Sequence, residues 1–325
     1  MEEKSPAQAG PADSSPRPVA AIRPSDRKPP WFKIKLTTSE SYVAIKKLVT
    51  TEGLHTVCQE ARCPNLHECW GKHGTASFMI LGDTCTRRCR FCAVGTGLPG
   101  AVDMLEPMKV AASVFRMGLR HAHVTMVNRD DLPDGGASVM AATVRAIKTR
   151  SPACTVEVLT SDFMGSREAI AAVMEAQPEI CSHNVETVRR LTPRVRSRSL
   201  YERSLGFLRT ARELDPAGIT KSSIMLGLGE TLPEILETMD DLRAVGVDII
   251  NIGQYLQPTR NNIPVQKYWT PEEFASLRDA ALEKGFLHCE SGPMVRSSYH
   301  AAEQLDGFRE HLGELKARRA AEQRT

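Results

Sequence analysis

Ala76-Ser77-Phe78-Met79-Ile80-Leu81-Gly82-Asp83-Thr84-Cys85-Thr86-Arg87-Arg88-Cys89-Arg90-Phe91-Cys92 is a short apolar run that breaks at a glycine and delivers three cysteines. An almost uninterrupted apolar run of this length reads as a strand covered on both faces, the situation of a parallel sheet. Further runs of the same kind lie at His121–Val127, Thr155–Thr160, Glu179–His183, Lys221–Leu228 and Asp248–Gln254. Amphipathic segments alternate with them near 106–118, 137–150, 166–176, 201–213 and 231–245. A further helix at 271–284 opens with Thr270-Pro271-Glu272-Glu273, an N-cap followed by an N1 proline and first-turn acids. Six strand–helix units predict an α/β fold, a partial (β/α)6 TIM-like barrel; a closed eight-stranded barrel needs two more strands.

Around this barrel, 76–285, the chain divides into three other parts. Residues 1–30 are Pro- and Ala-rich and are expected to be disordered. Residues 31–75 form a small N-terminal extension of irregular helices, and 286–325 a C-terminal segment whose end, from about Asp306, is polar. The 325 residues are 41% hydrophobic and 25% charged, with net charge +3 and pI near 8.4. That balance gives no argument for nucleic acid or membrane partners. The N-terminus lacks the apolar stretch of a secretory signal, so a cytoplasmic setting is expected. There, cysteines point to metal or catalysis before disulfides.

In parallel α/β architectures ligands sit at the C-terminal ends of the strands. Cys85, Cys89 and Cys92 follow the first strand, Gly135-Gly136 the second, His183-Asn184 the fourth, Gly227-Leu228-Gly229-Glu230 the fifth, and Gln254 ends the sixth. These loops are expected to share one mouth. The C-x3-C-x2-C spacing suits three corners of a cubane iron–sulfur cluster whose fourth iron stays open to another ligand. Zinc is the alternative, but its commonest pattern pairs two C-x2-C knuckles. Gly135 and Gly136 permit close backbone approach to a ligand, or a plain helix-preceding turn. Gly227-Leu228-Gly229 places backbone N–H groups where a polar ligand can meet them, and Glu230 is either a ligand contact or a first-turn helix residue. A second triplet, Cys58, Cys63 and Cys69, lies in the extension at C-x4-C-x5-C spacing.

The C-x3-C-x2-C triplet after the first barrel strand resembles the radical S-adenosylmethionine enzymes. The two triplets together with Arg296-Ser297-Ser298-Tyr299-His300 resemble the lipoyl synthases. So do Glu60-Ala61-Arg62-Cys63-Pro64-Asn65, Arg129-Asp130-Asp131-Leu132, Lys221-Ser222-Ser223 and Gly253-Gln254-Tyr255-Leu256-Gln257-Pro258. The resemblance runs from about Pro30 to Gln304 and implies two [4Fe–4S] clusters and S-adenosyl-L-methionine as cofactors. It implies that Cys85, Cys89 and Cys92 hold the radical-generating cluster. It also implies that Cys58, Cys63 and Cys69 hold an auxiliary, sulfur-donating cluster closed by a serine, at Ser298 or, as second choice, Ser297. Gly135, Gly136, Asn184, Gly227, Gly229, Glu230 and Gln254 are the expected S-adenosylmethionine pocket. The implied reaction inserts sulfur at C6 and C8 of an octanoyl chain on a carrier lysine.

The partners that follow are octanoylated lipoyl-carrier domains (2-oxoacid dehydrogenase E2 subunits, glycine cleavage H protein), an electron donor such as ferredoxin or flavodoxin, and an iron–sulfur carrier for cluster repair. Arg189, Arg190, Arg194, Arg196 and Arg198 are a basic run suited to steering an acidic carrier domain, or a solvated face. Cys154, Cys181 and Cys289 are expected to be buried small hydrophobes, and His55, His183, His288 and His300 to pack or hydrogen-bond. Asn128, Ser161 and Ser182 depart from the residues familiar in the family, and none is expected to touch a cluster ligand. Another radical sulfur-inserting enzyme is disfavoured by the C-x4-C-x5-C triplet and the serine motif. A non-catalytic two-cluster carrier is disfavoured because neither triplet has a fourth cysteine at regular spacing.

Overall fold

The computed structural model describes residues 28–33, 38–73 and 75–298. Of the tail expected over 1–30, residues 1–27 lie outside the described residues, as does the polar end from 306, while Pro30 already opens a turn. The N-terminal extension consists of a 3-10 turn at Pro30–Phe32, α1 (Glu40–Thr51), β1 (His55–Thr56), α2 (Val57–Glu60) and α3 (Leu66–Gly71). Ser39 caps α1 by accepting from the Tyr42 amide, and the Ser39 and Ser41 hydroxyls donate to the carbonyls of Gly71 and Trp70 in α3. Buried Ile45, Val49, Leu54 and Trp70 belong to the same apolar core as the barrel. The extension therefore has no separate core, and β1 joins it to the sheet by pairing antiparallel with β2 (Ser77–Ile80).

Beyond β2 come β3 (Thr84–Cys85), β4 (Gly95–Thr96), α4 (Glu106–Arg116), β5 (His121–Met126), α5 (Ala137–Arg150), β6 (Thr155–Leu159) and α6 (Arg167–Met174). The chain continues through β7 (Ile180–Ser182), α7 (Thr192–Val195), α8 (Tyr201–Leu214), β8 (Ile219–Leu226), α9 (Leu232–Ala244), β9 (Ile249–Gln254), α10 (Pro271–Glu283) and β10 (His288–Gly292). The main sheet has the order β1-β2-β5-β6-β7-β8-β9-β10, and every pairing from β2 to β10 is parallel. All six expected strands are present, and Thr270 and Glu273 form the capping box that opens α10. The structure adds β10, whose parallel pairing with β9 lies in the segment read only as C-terminal. Its sequence, His288-Cys289-Glu290-Ser291-Gly292, is too polar to stand out as a strand.

Alternation within the strands separates an apolar helix-facing side from a polar concave side. Ala122 and Val124 enter the main core, whereas Glu157 on β6 meets Lys221 on β8 at 3.0 Å and accepts from the Ser182 hydroxyl on β7 at 3.0 Å. His121 and His123 on β5 approach the same carboxylate at 3.6 and 3.8 Å. Ile180, Ile219 and Ile249, which open β7 and β9 or belong to the start of β8, form a separate apolar patch with Leu287 at the N-terminal end of the strands.

This buried polar layer gives the fold an acid limit. Burial pushes the His123 ring down to about 4, with Glu157 opposing, so the fold refuses a proton that the unfolded chain accepts below about 6.5. For Glu157 burial alone would raise the carboxyl, but the Lys221 ammonium and the two histidines hold it well below the usual carboxylate range. Both groups act with the same sign: their contribution is present at neutral pH and lost as pH falls, first for His123 below 6.5 and then for Glu157 below 4.5. Thermal melts from pH 7 to 4 are expected to show stability falling with acid, and His123→Val to flatten the slope by about one proton between pH 6.5 and 4. An unchanged slope in the variant contradicts this account.

Candidate cluster and cofactor site

The chain leaves β2 through Leu81 and Gly82, whose φ values of 70° and 89° turn it sharply at the C-terminal end of the strand. The β3–β4 pair then frames the loop that carries Cys85, Cys89 and Cys92. Loops following several strands fasten it. The Thr86 hydroxyl donates to the Asn128 carbonyl at 2.9 Å, and Arg90 N–H donates to the Val195 carbonyl at 2.8 Å. Asn262 donates through its amide to the Cys92 carbonyl at 2.8 Å, and Ile263 N–H to the Arg90 carbonyl at 3.0 Å. Arg87 turns inward, is 2% exposed, and binds Asp130 at 2.8 Å and Asp162 at 2.5 Å. One buried guanidinium therefore ties the cysteine loop to the loops after β5 and β6 with charge-assisted bonds.

The three thiols lie close enough to act on one another electrostatically. Burial pushes Cys89 up to about 12 and Cys92 to about 11, and each feels Cys85 as a like-charge neighbour. Arg196 opposes this at Cys89. The Asn128 amide donates toward the Cys85 sulfur at 3.6 Å. This corrects the expectation that Asn128 touches no cluster ligand: the residue is remote in sequence but the parallel pairing of β2 and β5 brings it alongside.

The first triplet is gathered by short turns. Cys58 lies in α2, Cys63 follows the left-handed Arg62, and Cys69 lies in α3. Cys63 N–H donates to the Cys58 carbonyl at 3.0 Å and Cys69 N–H to the Asn65 carbonyl at 2.9 Å. Burial and the neighbouring Cys63 raise Cys58 to about 11, and burial with Cys58 and Cys63 raises Cys69. Burial raises Cys63 too, but Arg296 opposes it. The Asn65 amide donates to the Met294 carbonyl at 2.7 Å, and the Asn251 amide to those of Arg296 and Ser297 at 3.0 and 3.1 Å. Residues 294–297, which lead into Ser298, thus lie against the first triplet across 229 positions of sequence. Tyr299 and His300 are outside the described residues.

Both gatherings fit an iron–sulfur cluster. Clustered thiols that burial keeps protonated ionise when a metal takes the thiolate, and a neighbouring arginine, Arg196 or Arg296, suits the resulting anionic group. Cys154, Cys181 and Cys289 are buried, as expected of small hydrophobes.

The expected pocket residues separate into two sets. Asn184 is buried at the end of β7, donates to Glu186 at 3.1 Å, and its carbonyl oxygen has no hydrogen-bond partner among the described residues. Glu186, which the sequence reading missed, sits in the left-handed region at φ 66° and is a like-charge neighbour of both Cys89 and Cys92. Asn184 and Glu186 therefore lie beside the cysteine loop. Glu230 instead accepts from the amides of Gly227 at 2.5 Å and Leu228 at 2.9 Å and from the Trp269 indole at 2.9 Å. Those two amides are taken by the chain itself, and Glu230 stands before the Thr231 cap, outside α9. Gln254 is likewise spent on the Leu226 and Lys267 carbonyls and the Trp269 amide. A side chain at Gly227 would strike the Gln254 amide at 2.1 Å, so this glycine serves the brace, and Gly229 is a left-handed turn at φ 106°.

Gly135 and Gly136 likewise form the left-handed turn into α5, packed on Phe163 and Leu81, with Asp134 accepting from Gly136 N–H. The basic run also divides. Arg189 pairs with Glu202 and Asp241, Arg190 with Glu234, and Arg196 is buried against the Val185 carbonyl and Ser204. Only Arg194 and Arg198 of the run are exposed and unpaired among the described residues.

Comparison with known proteins places the chain in a family. A model of the radical SAM superfamily matches residues 79–242, and a model of the N-terminal domain of lipoyl synthase matches residues 4–63. The chain is 62% identical over 280 residues to the lipoyl synthase of Halalkalibacterium halodurans, covering 86% of this chain and 92% of that protein. It is 60% identical to that of Staphylococcus haemolyticus, with the same coverage of 86% and 92%. Among solved structures, methylornithine synthase matches 63% of this chain and 62% of its own at 12% identity and TM-score 0.52. The FeFe-hydrogenase maturase of Carboxydothermus hydrogenoformans matches 63% and 50% at 16% identity and TM-score 0.51. At these identities the two likenesses show the fold alone. From the sequence models and the near-full-length relatives together, the chain belongs to the lipoyl synthase family of the radical S-adenosylmethionine superfamily.

Proposed function

We propose that the two thiol triplets divide the work of lipoyl formation, with Cys85, Cys89 and Cys92 holding the radical-generating [4Fe–4S] cluster. Cys58, Cys63, Cys69 and Ser298 hold the [4Fe–4S] cluster that is the sulfur source. The observation that supports this reading is that the segment leading to Ser298 is held by Asn65, which stands between Cys63 and Cys69, and brings Arg296 near Cys63, with no such contact to the second triplet among the described residues. When bound, S-adenosylmethionine and the clusters supply the radical and the sulfur that convert an octanoyl-lysine to a lipoyl-lysine at C6 and C8.

The chain's own part is to hold and orient. Arg87 fixes the cysteine loop between Asp130 and Asp162, and three thiols leave one coordination corner for the amino acid end of S-adenosylmethionine. Asn184 offers that ligand an unpartnered buried oxygen beside Glu186. The Glu230–Gln254–Trp269 brace, for which Gly227 leaves room, shapes the neighbouring wall. Ser298 would supply an oxygen, a harder ligand than thiolate and so a weaker hold than those of the three cysteines. Nine free cysteines suit a reducing, cytoplasmic compartment. Anaerobic single turnover on an octanoyl-lysyl peptide, read by mass spectrometry, is expected to add two sulfurs; a peptide that gains none contradicts the reading.

The substrate chain is borne by a carrier domain, and the surface beside the cysteine loop suits an acidic one. Arg88 and Arg90 on that loop are exposed, and the Arg90–Val195 bond sets them beside Arg194. Charge reversal of Arg194 and Arg198 is expected to slow turnover on carrier protein about tenfold at low salt, with less than about a twofold effect on the short peptide. Equal effects on both substrates contradict docking there. A ferredoxin- or flavodoxin-class donor and an iron–sulfur carrier complete the expected partners.

A further inference from the structure

We propose that Asn65 and Asn251 are positioning residues that hold the serine segment against the first triplet, with Gly253 as the surface on which it rests. The inference rests on the reading of Ser298 as the non-cysteine ligand of the sulfur-source cluster. The two asparagines come from opposite sides. Asn65 belongs to the turn between Cys63 and Cys69, and its amide donates to the Met294 carbonyl at 2.7 Å. Asn251 stands on the concave side of β9, and its amide is shared between the Arg296 and Ser297 carbonyls at 3.0 and 3.1 Å. Three successive carbonyl contacts over four residues fix the backbone immediately before Ser298 in two directions.

Neither amide can turn over without facing its own oxygen to a carbonyl, so the contacts set the orientation of both side chains. That orientation has a cost: Asn65 Oδ1 and Asn251 Oδ1 are buried and have no hydrogen-bond partner among the described residues. A buried, half-satisfied amide is unfavourable for stability and is kept where it holds something in place. A leucine of similar size would remove this burden at either position.

Gly253 supplies the third constraint. It lies within β9, where glycine weakens a strand and usually marks the close approach of another backbone. An added Cβ would stand 2.1 Å from the Val295 carbonyl oxygen and 3.0 Å from its carbon. The segment therefore lies directly on the strand at that point. Val295 N–H donates back to the Gly292 carbonyl at 3.1 Å, so the turn after β10 aims the segment across β9 toward Cys63, whose thiol Arg296 faces. The geometry couples the end of the barrel to the extension: β9 holds the serine segment while Asn65 holds the same segment to the cysteines.

The test uses protein in which Cys85, Cys89 and Cys92 are alanine, so that only the cluster on the first triplet is reconstituted. Its reduced-state electron paramagnetic resonance spectrum and the rate at which a chelator removes its first iron are compared across variants. Ser298→Ala is expected to change the spectrum and to release the first iron about tenfold faster than the parent. Asn251→Leu combined with Asn65→Leu is expected to reproduce that spectrum and that acceleration with Ser298 intact. Gly253→Ala, which keeps both asparagines and displaces Val295, is expected to do the same and decides the matter if the double variant does not fold. If Ser298→Ala matches the parent, the serine reading itself falls. If Ser298→Ala differs from the parent but the asparagine and glycine variants do not, the positioning role is overturned and the serine reading stands.

Discussion

Cys89→Ala protein, reconstituted with iron and sulfide, is expected to lose 5′-deoxyadenosine formation by about three orders of magnitude or more. Cys63→Ala protein is expected to keep forming 5′-deoxyadenosine and to add no sulfur to the octanoyl-lysyl peptide. The two outcomes differ because the triplets are physically separate. Cys89 and Cys92 feel Cys85, and Cys89 also Arg196, whereas Cys69 feels Cys58 and Cys63, and Cys63 feels Arg296. Three thiolates are the minimum that leaves one iron open while holding the rest, so loss of one removes the cofactor's seat. Loss of Cys63 leaves that seat untouched. A Cys63→Ala protein that makes no 5′-deoxyadenosine, with its second cluster spectroscopically intact, contradicts the division of labour.

The second large effect is expected at Arg87. Its guanidinium is buried and satisfies Asp130 and Asp162 together, with Ser199 accepting at 3.3 Å. Arg87→Met takes the close cation from both Asp130 and Asp162 and leaves only the more distant Arg203, 3.7 Å from Asp162, at a cost of about 3–5 kcal/mol in the stability of that region. Because the same side chain fastens the cysteine loop, cluster loading and 5′-deoxyadenosine formation are expected to fall with it. Adding Asp162→Asn to Arg87→Met removes much of the uncompensated charge and is expected to restore part of the stability, measured by denaturant melts, but not the cofactor chemistry. Acid works in the same direction in the parent: burial raises Asp162, but Arg87 holds its carboxyl below its usual 3.8, so this contribution is lost as pH falls through that range. A double variant no more stable than Arg87→Met contradicts the charge-based account.

The fold was legible where local chemistry and tertiary context agree. Six apolar runs between amphipathic helices have one good solution, a curved parallel sheet, and the strands lie where the runs do. β10 was not legible because three of its five residues, His288, Glu290 and Ser291, are polar, with Ser291 turned to the Phe274 carbonyl of α10, and so short a stretch has no apolar alternation to read. The cysteine triplets were legible because thiols at fixed short spacing carry their chemistry in sequence. What surrounds them was not. Arg87 and Arg196 look like ordinary basic residues beside their neighbours, and only burial shows one as the tie of the cysteine loop and the other as the cation beside Cys89.

The glycine- and glutamate-rich loop after β8 shows what composition leaves open. Its composition suggests ligand contacts, yet Glu230 and Gln254 are used up in holding the loop. Loop composition reports that backbone groups need partners; it does not say whether ligand or protein supplies them. Asn184 and Glu186 carry the cofactor reading better because an oxygen there remains without a partner and the cysteine thiols stand near.

The account's central claim is that the first triplet holds a sulfur source and not a second electron relay. The most direct measurement is a single turnover with protein whose two clusters are reconstituted with 34S-sulfide, in buffer containing only natural-abundance sulfur. The account predicts a lipoyl-lysyl product carrying two 34S atoms, with loss of the cluster at Cys58, Cys63 and Cys69 and retention of the one at Cys85, Cys89 and Cys92. A product carrying natural-abundance sulfur, or full sulfur gain in Cys63→Ala protein, would contradict it.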